Sequence, residues 1–192
     1  MIWTDRQKEI IDTSIKLIAQ NGIQNLTIKN ISKEIGISEA AIYRHFASKS
    51  DIIMAILNTF QEISCCIFDT VWEEGSTSID KIEAFVMDRY DRFTANPELA
   101  KVMFSEEVFQ NDERYTQKIF EIMEEHKEKL IAILQEGKEK NEIRNDVDLI
   151  SLVRIIVGSM RMLVTQWCLN NFAFNLKQQG TKLWNAVEKL IT

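Results

Sequence analysis

The stretch TIKNISKEIGISEAAIYRHFASK, from Thr27 to Lys49, decides how the chain is read. Thr27 has the side chain to cap a short helix whose inward face is Ile28, Ile31 and Ile35. Gly36-Ile37-Ser38 follows: a glycine for the left-handed turn, an apolar residue to bury in the corner, and a hydroxyl to cap the next helix, expected to run to about Phe46. Two short helices joined in this way form a helix-turn-helix. The physical use of that unit is to set the N-terminus of its second helix in a DNA major groove, while the first helix crosses the backbone.

Working outward, the same rules yield helices on both sides. Thr4 and Gln7 have the spacing of a capping box, and Ile10, Ile11, Ser14, Ile15 and Ile18 make a 3.6-period stripe that Asn21-Gly22 is expected to stop in a left-handed turn. Ser48 caps a long helix from Lys49 toward Trp72, broken by Gly75 to Ser78. Further helices are expected over about 79–95, 97–110 with Pro97 in the first turn, 112–140 weakened late by Gly137, Val147 to about Asn171 capped by Asp146, and about 178–191. One proline and six glycines in 192 residues leave too little turn chemistry for a sandwich or barrel. The expected fold is all-α with about nine helices: an N-terminal three-helix domain over 1–48 and a larger helical domain over 49–192, connected by the helix from about 49 to 74.

Composition bounds the function. At 45% hydrophobic and 27% charged, the chain is too apolar for disorder. The apolar stretch Leu149 to Leu169 carries Arg154 and Arg161 and is not expected to span a bilayer. The N-terminus lacks the basic and apolar regions of a signal peptide, and three cysteines at unpaired spacing fit a reducing cytoplasm. Net charge is -6, yet residues 1–50 hold seven Lys/Arg against five Asp/Glu, and 51–80 hold no basic residue. A small basic head on an acidic body fits a polyanion partner for the head alone.

Enzyme readings find no footing. His45 and His126 are the only histidines, and neither adjoins a nucleophile motif. There is no glycine-rich phosphate loop, and Glu106-Glu107 and Glu124-Glu125 lack the Glu-x-x-His spacing of a di-iron bundle. No cofactor or metal is expected. Vicinal Cys65-Cys66 leave a role in redox or soft-metal sensing open.

The ordered set Ile10-Ile11, Gly22, Thr27-Ile28, Ile31, Gly36-Ile37-Ser38, Ile42-Tyr43-Arg44-His45-Phe46 and Ser48-Lys49 resembles the TetR family of bacterial transcriptional repressors across residues 6–60. The resemblance implies phosphate contacts from Thr27, Tyr43, His45 and Lys49, with Ser38, Glu39, Ala40, Ala41 and Arg44 on the recognition helix. Side-chain chemistry agrees. A tyrosine hydroxyl and a lysine ammonium donate to phosphate, Arg44 has the fork for guanine, and the two alanines offer apolar contact to a thymine methyl. Glu39 stands where many members carry a basic or small residue, which implies an operator of its own. Lys29 is a further candidate contact, with a solvated basic face as the other reading of Lys29 and Lys33. Phe46 reads as core.

For residues 49–192 the resemblance implies a ligand-binding and dimerisation domain. The last two long helices would pair with a second copy through Leu152, Ile156, Ser159, Leu163, Leu183 and Val187. A small, largely apolar effector would lie among Phe68, Trp72, Phe85, Tyr90, Phe104, Met123, Arg161 and Trp167, although the aromatic and methionine side chains also fit ordinary core and Arg161 also fits an ion pair with Asp/Glu across the dimer. The resulting expectation is a cytoplasmic, homodimeric, ligand-responsive repressor of double-stranded operator DNA with no membrane partner. The competing reading is a helical adaptor whose residues 27–49 dock protein.

Overall fold

The computed structural model describes residues 3–70, 76–109 and 112–192, without the side chains of 65, 66, 69, 70, 106 and 107. Among them are ten α-helices and one 3-10 turn: α1 (Asp5–Asn21), the turn Ile23–Asn25, α2 (Ile28–Ile35), α3 (Glu39–Tyr43), α4 (Lys49–Thr70), α5 (Ser78–Ala95), α6 (Pro97–Met103), α7 (Glu106–Phe109), α8 (Glu113–Glu139), α9 (Leu149–Leu169) and α10 (Leu176–Ile191). The chain forms two compact units, one from Met1–Ile63 with Glu98–Phe120, the other from Ser64–Pro97 with Glu121–Thr192.

Unit 1 is built on short-range capping. The Thr4–Gln7 capping box opens α1, and Thr27 accepts from Asn30 N to open α2. Ser38 accepts from Ala41 N to open α3, and Ser48 accepts from Asp51 N at the head of α4. Each such cap is worth about 1 kcal/mol. The apolar stripes then meet: Ile10, Leu26, Ile31, Ile42, Ile52, Ile56 and Leu57 are fully enclosed, and Phe46 packs with them. Leu99, Val102, Val108, Phe109 and Tyr115 complete that core from α6, α7 and the start of α8. Ile37 is half-buried against it rather than enclosed.

Several boundaries differ from the sequence reading, each for a local reason. The expected helix over 97–110 is two helices, because the chain turns at Phe104-Ser105 and restarts with Val108 N donating to Ser105 O. α9 is capped by Asp148, which accepts from Ser151 N, while the carboxylate of Asp146 is occupied by Arg144 at 2.6 Å. Gly22 has φ 76 and ψ 166, so α1 ends in an extended positive-φ kink and not a left-handed helical turn. Gly36 is left-handed at φ 79 and ψ 32, as α2's end requires. α3 ends at Tyr43, short of Phe46.

In unit 2, α10 packs on α5 and α9. Gly180 of α10 is needed for that approach, since a Cβ there would sit 2.3 Å from the Tyr90 ring. Lys81 of α5, almost wholly buried, is answered by Glu136 of α8 at 2.8 Å. Beyond α9, Asn171 and Phe172 are both at positive φ; the Phe172 ring meets Trp167 edge-on at 4.7 Å and Trp167 Nε1 donates to Phe174 O. α9 is, by length and composition alone, apolar enough to cross a membrane, which the sequence reading had not allowed. Leu152, Val153, Ile156, Met160, Val164 and Trp167 instead bury one of its faces.

Candidate nucleic-acid interface

Around the second helix of the helix-turn-helix Ile42 and Phe46 turn inward, while Glu39, Ala40, Tyr43 and Arg44 are exposed and Ala41 and His45 half-buried. Tyr43 is 51% exposed although aromatic, so it is not a core residue of this unit. Ser38 stands at the N-terminus of α3 with its side chain on Ala41 N at 3.2 Å. That turn carries the partial positive charge of the helix end, which Glu39 offsets within the protein and a phosphate would offset in a complex.

Thr27 and Lys29 are exposed at the start of α2. Lys49, half-buried at the head of α4, donates from Nζ to the carbonyl oxygen of Ile23 at 3.1 Å. Partial burial lowers its pKa from the ordinary lysine value. This bond braces the 3-10 turn against α4 and fixes where the ammonium stands. Behind it, Ser50 Oγ accepts from Arg114 Nη2 at 2.6 Å and from Tyr115 OH at 2.8 Å, so α8's first turn holds the first turn of α4.

Within unit 2 the expected effector residues fall at several separate places. Phe68 and Phe85 are together, their rings stacked at 4.9 Å in unit 2. Tyr90 is enclosed at Gly180 of α10, and burial pushes its pKa up to about 12. Trp167 serves the loop after α9, while Met123 and Arg161 are exposed. Phe104 belongs to unit 1, and Trp72 lies outside the described residues, as do the side chains of Cys65 and Cys66. Of the expected pairing residues, Leu152, Ile156 and Val187 are buried inside the chain, and Ser159, Leu163 and Leu183 are half-buried. Exposed instead on α9 is a stripe at seven-residue spacing, Ile155, Met162 and Leu169, the last 80% exposed.

Sequence reasoning passed over the surroundings of Phe68 and Phe85. The ring of His126 lies 6.0 and 6.1 Å from theirs, and Arg89 is enclosed beside Phe85. A signal was present: Arg89 takes a position in the apolar stripe Ile82, Phe85, Val86, Tyr90, Phe93 of α5, where a charge is out of pattern.

Comparison with known proteins adds two family matches: bacterial regulatory proteins of the tetR family over residues 10–56, and the C-terminal region of YsiA-like proteins over residues 66–191. The chain is 27% identical over 171 residues to the fatty acid metabolism regulator protein of Bacillus subtilis, covering 88% of this chain and 86% of that one. Among solved structures it resembles the fatty acid degradation regulator FadR of Bacillus halodurans, at 23% identity and a TM-score of 0.85, covering 98% of this chain and 97% of that one. It also resembles the transcriptional regulator FadR of Bacillus subtilis in complex with stearoyl-CoA, at 26% identity and a TM-score of 0.81, covering 96% and 99%.

Proposed function

Because the chain belongs to the tetR family of bacterial regulatory proteins, we propose that it is a cytoplasmic repressor that binds a near-palindromic operator as a homodimer and releases it on binding a long-chain acyl-CoA. Residues 1–48 read DNA, and 49–192 bind the effector and pair the subunits. The family is one of transcriptional regulators, and no enzymatic step is assigned to this chain.

The observation that carries the reading is the outward side of α3 and its C-cap, where Tyr43 and Arg44 are exposed at the end of a helix that Ser38 opens. A recognition helix of five residues reaches few base pairs. Two copies would read half-sites one helical turn or more apart, roughly 34–36 Å or a multiple of it. The exposed stripe Ile155, Met162 and Leu169 is the surface that pairing would cover. Sedimentation of the Met162→Asp, Leu169→Asp double variant checks this. We expect a monomer at micromolar concentration; an unchanged dimer places the interface elsewhere. The effector class comes from the likeness, at 26–27% identity, to the Bacillus subtilis fatty acid metabolism regulator protein and to the Bacillus subtilis FadR structure that holds stearoyl-CoA. Effector binding would favour a conformation in which the two reading heads are wrongly spaced, a population shift.

Fluorescence anisotropy with duplexes tiled across the chain's own upstream region, at two salt concentrations, tests the proposal. We expect nanomolar binding to one near-palindromic tile, steeply weakened by salt and reversed by stearoyl-CoA. Binding at the non-specific level, ~10⁻⁴–10⁻⁶ M on every tile and on genome-wide selected fragments, would instead favour a protein-docking adaptor.

A further inference from the structure

Unit 2 gathers a polar cluster in which Arg89 and Ser64 are enclosed and His126 and Lys129 are half-buried. Arg89 of α5 is 3% exposed; its Nη1 donates to Ser64 Oγ at 2.6 Å and its Nη2 to Asp88 Oδ2 at 2.5 Å. The guanidinium carbon stands 5.6 Å from the centre of the Phe85 ring, and Lys129 Nζ stands 5.1 Å from that of Phe68. His126 of α8 completes the group, tilted against both rings. Its Nε2 is buried with no hydrogen-bond partner among the described residues.

Packing accounts for most of this cluster. Arg89 ties α5 to α4 through Ser64, and its charge is answered by Asp88. Packing does not account for His126. An imidazole nitrogen kept from water without a partner is unfavourable, and a leucine of similar size would fill the same space among phenylalanines without that cost. A buried polar atom of this kind calls for a partner present at some stage of function.

The surrounding charges select that partner's chemistry. Asp88 is shared between Arg89 at 2.5 Å and Arg92 at 2.8 Å, and Glu125 answers Lys129 at 3.4 Å, so the one carboxylate beside Arg89 has two guanidiniums to answer and an electron-rich ligand atom is favoured there. An uncharged oxygen, electron-rich but carrying no full charge, suits a neutral imidazole N–H flanked by two cations, and the stacked rings of Phe68 and Phe85 suit the apolar chain attached to it.

We propose that His126 Nε2 donates a hydrogen bond to the acyl carbonyl oxygen of the effector thioester, with Phe68 and Phe85 against the adjoining chain and with Arg89 and Ser64 as the positioning pair. The inference rests on the acyl-CoA reading of this unit and deepens it: the chain distinguishes a thioester from ligands that have the same tail and no carbonyl. It also assigns the polar end of the effector site to α5 and α8, where the sequence offered only aromatics.

The test is calorimetric titration of the full-length protein with stearoyl-CoA and with its S-octadecyl thioether analogue, which lacks only the carbonyl oxygen. Wild type is expected to bind the thioester at least tenfold more tightly. In His126→Leu that preference falls to about onefold while the thermal midpoint stays level or rises, since the substitution removes an unpaired buried nitrogen. His126→Gln, whose amide still donates, retains a preference for the thioester, a rescue that a packing role would not give. Binding of both ligands within twofold by wild type overturns this assignment and leaves the acyl-CoA reading standing. A full preference in His126→Leu does the same, and failure of either ligand to bind overturns both.

Discussion

Residues 27–49 and the Phe68–Phe85–His126 cluster use polar side chains in opposite ways. In the first, the hydroxyls of Thr27, Ser38 and Ser48 close helix ends three residues away, and Tyr43 and Arg44 stay in solvent. In the second, Arg89 finds its hydroxyl partner 25 residues back along the chain, and Lys81 of the same helix finds its carboxylate 55 residues on. The helix ends of the first region are closed by neighbours in sequence, with Lys49 reaching 26 residues back to Ile23, while the charged groups of the second find their partners in space.

The largest stability effect expected from this contrast is a pH dependence confined to the core. Burial, reinforced by Arg89 and by Lys129 and opposed by Glu125, lowers the pKa of His126 from 6.5 to about 4. The unfolded chain therefore takes up a proton near pH 6.5 that the folded chain accepts only near pH 4. Folding stability falls as pH drops across that window and levels off below it, by up to about 3 kcal/mol. Urea denaturation of wild type and His126→Leu at pH 7 and pH 4.5 reads the difference. Equal pH dependence in the two proteins would show that His126 is not held neutral by the fold.

Gly180→Val comes next. The added Cβ meets the Tyr90 ring at 2.3 Å in a fully enclosed position, so α5 and α10 must separate. Overpacking of this kind costs about 2 kcal/mol or more, seen as a lower midpoint in urea. A midpoint matching wild type would mean the α5–α10 contact is looser than described.

Tyr43→Ala reverses the pattern. The side chain is half exposed and closes no helix end, so the thermal midpoint should hold while operator affinity falls about tenfold, or ~1.4 kcal/mol. Lost stability without lost affinity would make Tyr43 a packing residue and not a DNA contact. The smallest effect belongs to a cap: Ser38→Ala should cost about 1 kcal/mol of stability, by denaturation at neutral pH. No change would mean that the bond from Ala41 N contributes nothing in solution.

The same contrast sets how far the sequence could be read. Thr4–Gln7, Thr27, Gly36, Ser38 and Ser48 act over three or four residues, so pattern alone located the helix-turn-helix and the all-α class. The break at Phe104-Ser105 carried no glycine or proline to announce it, and Asp146 and Asp148 were equally good caps until Arg144 occupied one. Apolarity marked Leu152, Ile156 and Val187 as buried without saying that this chain's own α5 and α10 could do the burying. The Arg89–His126 grouping joins residues 37 positions apart, and no local pattern brings them together.

Hydroxyl-radical footprinting of the operator tile tests the central claim, that Thr27 to Lys49 is a DNA reader working in pairs. Two protected patches are expected on one face of the duplex, a helical turn or more apart, both needing about tenfold more protein with Tyr43→Ala and both released by stearoyl-CoA. Protection spread evenly along the duplex, or a single patch unaffected by Tyr43→Ala, would contradict it.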